Sequence, residues 1–190
     1  WEEEGVVGYV LREVCCALEY LHGLDMVHRD VRAANVWLDG EGGVKLSDFG
    51  VIGWMVEAAE SATRHKRCHT FIGQPRFMAP EVLQQTSGYN TKADIWSVGI
   101  TAIELATGRA PYSDASPFAV LAKTLHGPPP TVPPPRAGAF SRDFHEFVAL
   151  CLQKDPEKRP TAAGLLGTRF LRAAAMPGNL PKRIAVRKPV

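Results

Sequence analysis

Apolar residues recur every three or four positions in several stretches of the chain, and this spacing predicts amphipathic helices. The first predicted helix covers residues 5–22 and ends at His22-Gly23. Its apolar face consists of Val7, Val10, Leu11, Val14, Ala17, Leu18 and Leu21. The chain is therefore predicted to begin with one long helix that buries a single face.

A second long helix is predicted between Thr91, which can cap it with Asp94 three residues on, and Gly108. It is apolar on nearly every side, as a buried central helix is. The proline-rich run at residues 128–135 is predicted to be a rigid connector, with a polyproline II ligand as the alternative. Further helices are predicted to begin at Ser116-Pro117, Ser141 and Thr161.

A different pattern separates the two long helices. Residues 36–38 and 44–46 are short apolar runs around a glycine-rich segment, which predicts a β-hairpin. Side chains alternate along a strand, so Trp37 is predicted to point away from the face that its two neighbours share. Residues 48–81 show no sustained period and are predicted to be a long loop, which in a compact domain is typically functional or disordered.

Composition excludes several classes of protein. The chain has 190 residues, 45% hydrophobic and 22% charged, which predicts a globular domain with a sizeable core. No apolar run approaches the ~20 residues of a membrane span. The four cysteines show no metal-ligand spacing, so we expect free thiols in a reducing compartment and a cytoplasmic protein.

Charge is distributed unevenly along the chain. Residues 172–190 contain five basic and no acidic residues, whereas residues 1–171 contain 17 basic and 20 acidic residues. Residues 1–171 therefore carry more acidic than basic groups and lack the basic surface that nucleic-acid binding requires, so no nucleic-acid partner is expected. The 172–190 tail is predicted to be a basic, flexible extension, with a docking or membrane-surface element as the alternative.

Three short motifs carry the chemical information. They are H-R-D-x-x-x-x-N at residues 28–35, D-F-G at residues 48–50 and A-P-E at residues 79–81. Each of the shorter motifs alone is common by chance, but ten specified residues in this order and context are not.

The residue types match the needs of phosphoryl transfer. A carboxylate must orient the attacking hydroxyl and accept its proton, and oxygen ligands must hold Mg²⁺ against the phosphates of ATP. Asp30 suits the first role, and Asn35 and Asp48 suit the second. The motifs therefore predict an enzyme that uses ATP and Mg²⁺.

These motifs resemble those of the protein kinases, and the resemblance covers residues 1 to about 171. The central-helix sequence at 94–108 and the segment Cys151–Ala162 resemble the sterile-twenty or germinal-centre group most closely. Residues 63–73 resemble the activation loop of its oxidative-stress-responsive serine/threonine kinases. The resemblance implies a protein-kinase-like α+β fold: a mainly helical C-lobe with a short catalytic-loop hairpin, in which residues 48–81 form the activation segment.

The resemblance also implies a regulatory site. Thr70 would be phosphorylated by an upstream activating kinase, and Arg29 would pair with the phosphate and order the loop. Such a protein would transfer phosphate to Ser or Thr of protein substrates in stress-type or osmotic-type signalling.

Three further contacts are implied by the resemblance. Phe49 would stack on His28, and Asp94 would bind the backbone amides of the turn at His28. Glu81 would form a buried ion pair with Arg159.

The sequence lacks several parts that the resemblance would require. No Gly-rich loop, no strand lysine of the V-A-I-K kind and no partner glutamate precede His28. Lys123 follows an alanine but lies in a later helix and cannot substitute. We therefore expect a fragment without the N-lobe and its β-sheet, inactive alone.

Three positions depart from the pattern of the group. Arg32 replaces a lysine that contacts the transferred phosphate, and Gln74 replaces a threonine that hydrogen-bonds the catalytic aspartate. Trp37 replaces a leucine beneath the adenine ring, where an indole either stacks on the base or blocks it. The leading interpretation is a serine/threonine kinase with Asp30, Arg32 and Asn35 as catalytic residues. The alternative is a catalytically impaired kinase-like scaffold or binding module.

Overall fold

Helices make up most of the structure, a computed structural model that describes residues 3–57, 66–68, 73–84, 88–132, 140–175, 178 and 180. At residues 56, 57, 66 and 67 only the backbone is described. The helices in these ranges are α1 Glu4–Gly23, α2 Pro80–Gln84, α3 Lys92–Thr107, α4 Pro117–His126, α5 Arg142–Cys151, α6 Ala162–Leu166 and α7 Arg169–Arg172.

The strands within the described ranges are short and pair antiparallel in twos. The predicted hairpin is present, because β2 Val36–Leu38 pairs with β3 Val44–Leu46. The other two pairs are β1 Met26–Val27 with β4 Gly53–Trp54, and β5 Val56–Glu57 with β6 Lys66–Arg67. A mainly helical lobe with only short sheets is the predicted fold class, which is confirmed.

Helix α3 forms the centre of the core and packs against α1 and α5. Twelve of its sixteen residues are buried, which is why its sequence is apolar on nearly every side. Gly99 lets α5 approach closely, since a Cβ there would lie 2.7 Å from the Cβ of Cys151. The central helix is thus a rigid base for the loops that precede it.

The N-terminus of α3 differs from the prediction. Thr91 makes no side-chain capping bond, and the Oδ1 of Asn90 instead accepts a hydrogen bond from the amide of Lys92 at 2.9 Å. Asp94 is turned away from its own helix end, toward the turn at His28. The predicted capping pair is therefore wrong, because the carboxylate of Asp94 binds the turn at His28 and not the start of its own helix.

The prediction of a structureless loop over residues 48–81 is also wrong in part. The described portion holds a 3₁₀ turn at Phe49–Val51, the strands β4 to β6 and the start of α2. These strands have two residues each, too short for a period to show in the sequence. Residues 58–65 and 69–72, and with them Thr70, lie outside the described residues.

The predicted tail at residues 172–190 is described only at residues 172–175, 178 and 180, so its flexibility stays a prediction. Helix α7 extends to Arg172, capped by Thr168, and Leu180 has none of its surface exposed. No helix in the described ranges is long and apolar enough to cross a membrane.

Candidate functional site

The turn that carries residues 28–30 is held by a buried carboxylate on α3. Asp94 is fully buried, and its two oxygens accept hydrogen bonds from the amides of His28 and Arg29, both at 2.8 Å. His22, at the end of α1, lies 2.8 Å from the same carboxylate. The turn includes Arg29 in the left-handed region, at φ 71°. Helices α3 and α1 therefore fix the backbone that leads into Asp30, α3 through Asp94 and α1 through His22.

Asp30 and Asn35 lie side by side at the base of the site. Asp30 is 8% exposed, and the amide nitrogen of Asn35 donates to its backbone oxygen at 2.8 Å and to its Oδ2 at 2.7 Å. Arg32 Nε donates to the same Oδ2 at 3.1 Å. Oδ1 of Asp30 is buried and has no hydrogen-bond partner among the described residues. One oxygen thus fixes the side chain, and the other has no hydrogen-bond partner in the described structure.

Arg32 lies between two acidic groups. Besides Asp30 it faces Glu104 on α3, whose Oε2 accepts a hydrogen bond from the amide of Ala33 at 2.9 Å. Burial raises the pKa of the Glu104 carboxyl, and the bond from Ala33 and the charge of Arg32 oppose that rise. The guanidinium is therefore positioned beside Asp30 by electrostatics on both sides.

Asp48 and Phe49 follow the hairpin directly. Asp48 has a left-handed backbone, at φ 68° and ψ 62°, and its side chain is exposed. The ring of Phe49 meets His28 edge-on, with centroids 5.5 Å apart and planes at 70°. His28 Nε2 donates to the backbone oxygen of Ser47 at 3.0 Å. Strand β3 and residues 48–50 are thereby tied to the turn at Asp30.

The hairpin is also tied to Asn35. Ser47 donates from its amide at 2.9 Å and from its hydroxyl at 3.1 Å to the backbone oxygen of Asn35. Because the Asn35 side-chain nitrogen already binds Asp30, its amide oxygen is the atom that it can offer to a cation. An exposed carboxylate at Asp48 and an amide oxygen nearby in the chain fit Mg²⁺, which takes few protein ligands beside substrate phosphates.

The described ranges hold no group of three His, Cys, Asp or Glu side chains placed for a metal ion. The pair Asn35 and Asp48 therefore fits a cation that phosphate oxygens help to hold, and does not fit a structural metal.

Trp37 lies on the outward face of the hairpin. Its side chain is 65% exposed, whereas Val36 and Leu38 are half-buried, so the side chains alternate as a strand requires. It is paired in register with the exposed Lys45.

Arg29 directs its guanidinium toward the segment after Asp48. It donates to the backbone oxygens of Val51 and of Ile52, the latter at 2.7 Å. Gly53 leaves room for it, since a Cβ there would lie 2.8 Å from the guanidinium carbon. The residue predicted to pair with a phosphate thus touches the described part of the predicted activation segment.

Glu81 and Arg159 form an ion pair beneath α2. The two side chains bind through parallel hydrogen bonds of 2.6 and 2.8 Å, with Arg159 fully buried and Glu81 12% exposed. Arg159 also donates to the backbone oxygens of Gln153, Lys92 and Lys154. This pair joins α2, at the end of the predicted activation segment, to the chain before α6.

Sequence reasoning missed three residues of the site. The sequence pattern marks His22 only as a helix end. It does not distinguish Ser47 or Glu104 from their neighbours. Each acts through hydrogen bonds across the fold, to partners 12 to 72 positions away along the chain. No local pattern encodes such contacts.

Comparison with known proteins gives a consistent match. The protein kinase domain family matches residues 2–171. Germinal center kinase 3 of Caenorhabditis elegans is 46% identical over 175 residues, 90% of this chain and 29% of that protein. Serine/threonine-protein kinase fray2 of Dictyostelium discoideum is 40% identical over 187 residues, 98% of this chain and 18% of that protein.

A third relative is also named as a serine/threonine-protein kinase. Serine/threonine-protein kinase cst-1 of Caenorhabditis elegans is 45% identical over 171 residues, 90% of this chain and 33% of that protein. The chain thus spans a third or less of the length of each of these relatives.

Proposed function

The chain belongs to the protein kinase family, in its Ste20 and germinal-centre group, and from this premise we propose that it carries the phosphoryl-transfer site of an ATP-dependent serine/threonine protein kinase. The observation that carries the proposal is the buried Oδ1 of Asp30, which has no partner in the described structure while Oδ2 is fixed by Asn35 and Arg32. A carboxylate held by one oxygen with the other left open suits a general base.

The proposed reaction uses these two oxygens differently. Oδ1 of Asp30 accepts the proton of a substrate Ser or Thr hydroxyl. The hydroxyl oxygen forms a bond to the γ-phosphorus of ATP as the bond to the β-γ bridging oxygen breaks, and ADP leaves. Arg32 is placed to balance the charge of the transferred phosphoryl group. Asn35 and Asp48 would hold Mg²⁺, which when bound neutralises phosphate charge.

Two observations favour a second candidate, a kinase-like scaffold of low activity. Arg32 is already ion-paired with Asp30, so its guanidinium is partly engaged before any phosphate binds. Trp37 places an indole where resemblance puts a leucine. The active kinase and the scaffold have the same fold and differ only in turnover.

The experiment that separates them is a transfer assay. Its protein is an N-lobe fusion, meaning this chain joined to the N-terminal lobe of germinal center kinase 3. ATP-dependent phosphorylation of serine or threonine in a generic basic protein supports the kinase. ATP binding by the fusion without any transfer supports the scaffold.

The cellular setting follows from weaker observations. The resemblance of residues 63–73 to oxidative-stress-responsive kinases supports stress-type signalling downstream of an activating kinase. The described cysteines, Cys15, Cys16, Cys68 and Cys151, are free thiols, which supports a reducing compartment such as the cytoplasm.

Phosphorylation at Thr70 is expected to increase hydrogen-exchange protection of residues 63–78. The phosphate dianion gains charge-assisted bonds from Arg29, which already lies on the backbone of Val51 and Ile52. Exchange on the phosphorylated and unmodified chains measures it, with Arg29→Gln as the control that should abolish the gain. Equal protection in both forms would show that Thr70 is not the switch.

Replacing Trp37 with leucine is expected to tighten ATP binding by the N-lobe fusion. An indole adds bulk to a slot sized for adenine, and overpacking costs about 1–3 kcal/mol, so relief of 1.4 kcal/mol gives about a tenfold gain. Calorimetry on both forms measures this, with Trp54→Leu as a control at another exposed tryptophan. Unchanged or weaker binding would favour an indole that stacks on the base.

A further inference from the structure

A groove lies between the end of α3, the loop that follows it and α4. It has a volume of about 460 Å³, and its wall includes Ile103, Pro111, Tyr112, Ser113 and Lys123. A volume of this size accommodates a small molecule. None of the residues that the proposed reaction uses lines this groove, so it is distinct from the phosphoryl-transfer site.

The loop that forms one wall has an unusual backbone at Tyr112. This residue has φ 60°, in the left-handed region that bulky side chains seldom adopt. Two hydrogen bonds hold the loop, from the amide of Ala115 to the backbone oxygen of Tyr112 at 2.9 Å, and from Nη2 of Arg76 to the backbone oxygen of Ser113 at 3.0 Å. Backbone of this kind is concentrated at ligand sites and persists where the surrounding structure fixes it. The wall of the groove is therefore preformed.

Lys123 brings an unpaired positive charge to this wall. Its Nζ lies 5.0 Å from the centroid of the Tyr112 ring, and it makes no hydrogen bond or ion pair with the described residues. A ring face attracts a cation, but it is not an oxygen acceptor for the three ammonium protons. The charged group therefore lies over a ring of the groove wall with its donors available.

Two hydroxyl groups add to these donors. Oγ of Ser113 accepts a hydrogen bond from Nε of Arg109 at 3.1 Å, so its own proton is available. The Tyr112 hydroxyl makes no hydrogen bond with the described residues, and burial raises the pKa of this group, so it keeps its proton. The acidic residue of the wall, Asp114, is already paired with Arg109. Among the described residues, the wall thus has one unpaired cation, Lys123, and no unpaired carboxylate.

We propose that the groove binds a small organic anion, with a carboxylate or phosphate group at Lys123 and an apolar body against Ile103 and Pro111. Charge complementarity selects the anion, because the protons of Lys123, Tyr112 and Ser113 have no acceptor among the described residues. The apolar part of the wall selects an organic body over an inorganic ion. The site goes beyond phosphoryl transfer and does not depend on it, because its residues take no part in the proposed reaction.

The test measures the binding of small probes to the full chain by calorimetry and by amide signals in nuclear magnetic resonance. The probes are phenyl phosphate, phenylacetate, benzyl alcohol and benzylammonium, which share an aromatic ring and differ in charge. We expect both anions to bind about tenfold more tightly than benzyl alcohol, and benzylammonium to bind more weakly than either. The amide signals of Tyr112, Ser113 and Lys123 should shift with the anions. The anion that binds more tightly identifies the acid group.

Variants assign the anion to Lys123. Lys123→Gln should lower the affinity for both anions about tenfold, to that for benzyl alcohol. Lys123→Arg keeps the charge and should retain most of the affinity, which excludes a folding defect as the cause of the loss. Tyr112→Phe keeps the ring and should lower the affinity about threefold through the lost hydroxyl. Lys158→Gln makes the same change at another exposed lysine and should leave the affinity unchanged.

Three results would each overturn the inference. Equal binding of the anions and benzyl alcohol would show that charge does not select the ligand. Anion affinity that survives Lys123→Gln would show that another cation, such as Arg32 in the transfer site, holds the anion. Inorganic phosphate that binds as tightly as phenyl phosphate would show that the apolar wall contributes nothing. None of these measurements uses turnover by the N-lobe fusion, so they fail or succeed independently of the proposed function.

Discussion

Asp30→Asn should lower the turnover of the N-lobe fusion by about 10²–10⁴-fold and leave ATP binding nearly unchanged. The amide that replaces the carboxylate cannot accept the proton of the substrate hydroxyl at the position of Oδ1. The proposed metal ligands, Asn35 and Asp48, are untouched, so the nucleotide keeps its contacts. Initial rates of phosphate transfer and calorimetry with ATP measure the two quantities separately.

A matched control is available on the surface. Glu146 on α5 pairs with Arg142 and its side chain is 54% exposed, so Glu146→Gln makes the same change from carboxylate to amide at the surface. It should change neither rate nor affinity. Turnover close to the parent in Asp30→Asn would show that another group accepts the proton. A parallel loss of ATP binding would show that Asp30 also holds the nucleotide.

The parts of the fold that sequence predicted are those with long local patterns. Helix α1, predicted at 5–22, is observed at Glu4–Gly23 because one apolar stripe repeats along its whole length. The hairpin at Val36–Leu38 and Val44–Leu46 was predicted because alternation and a glycine-rich turn occur together. Such features depend on residues that are close together in the chain, so the sequence alone predicts them.

The parts that were missed depend on distant partners. Thr91 and Asp94 have the spacing of a capping box, but the carboxylate of Asp94 binds the turn at His28, 66 positions away. The two-residue pair of β1 with β4 joins Met26 to Trp54 and carries no period of its own. Burial of Leu180 likewise depends on a core that only the folded chain creates.

The candidate site also has a part that the sequence predicts and a part that it does not. Motifs predict candidate residues for the chemistry, because residue type and spacing are properties of the sequence, and the roles of these residues stay predictions. They did not predict that Asn35 and Arg32 both bind Oδ2 of Asp30. Nor did they predict that Oδ1 is buried and has no hydrogen-bond partner in the described structure. That asymmetry comes from side-chain geometry, and it is what distinguishes the two oxygens in the proposed mechanism.

The largest effect on stability is expected at the ion pair of Glu81 and Arg159. Glu81→Ala would leave a guanidinium that is fully buried without its counter-charge, and removing one partner of a buried pair costs about 3–5 kcal/mol. The three backbone oxygens bound by Arg159, and the ring of Trp96 at 5.2 Å, hold the guanidinium in place, so it cannot turn to water. Urea denaturation of the full chain measures the free energy of unfolding.

Two companion variants identify the cause of the loss. Arg159→Lys keeps the positive charge but lacks the planar fork that serves Glu81 and the backbone oxygens together, so it should also destabilise. Arg142→Ala breaks an exposed pair with Glu146 and should have no measurable effect, because water and ions screen such pairs. If Glu81→Ala unfolds at the same urea concentration as Arg142→Ala, the buried pair does not hold the activation segment to the helical core.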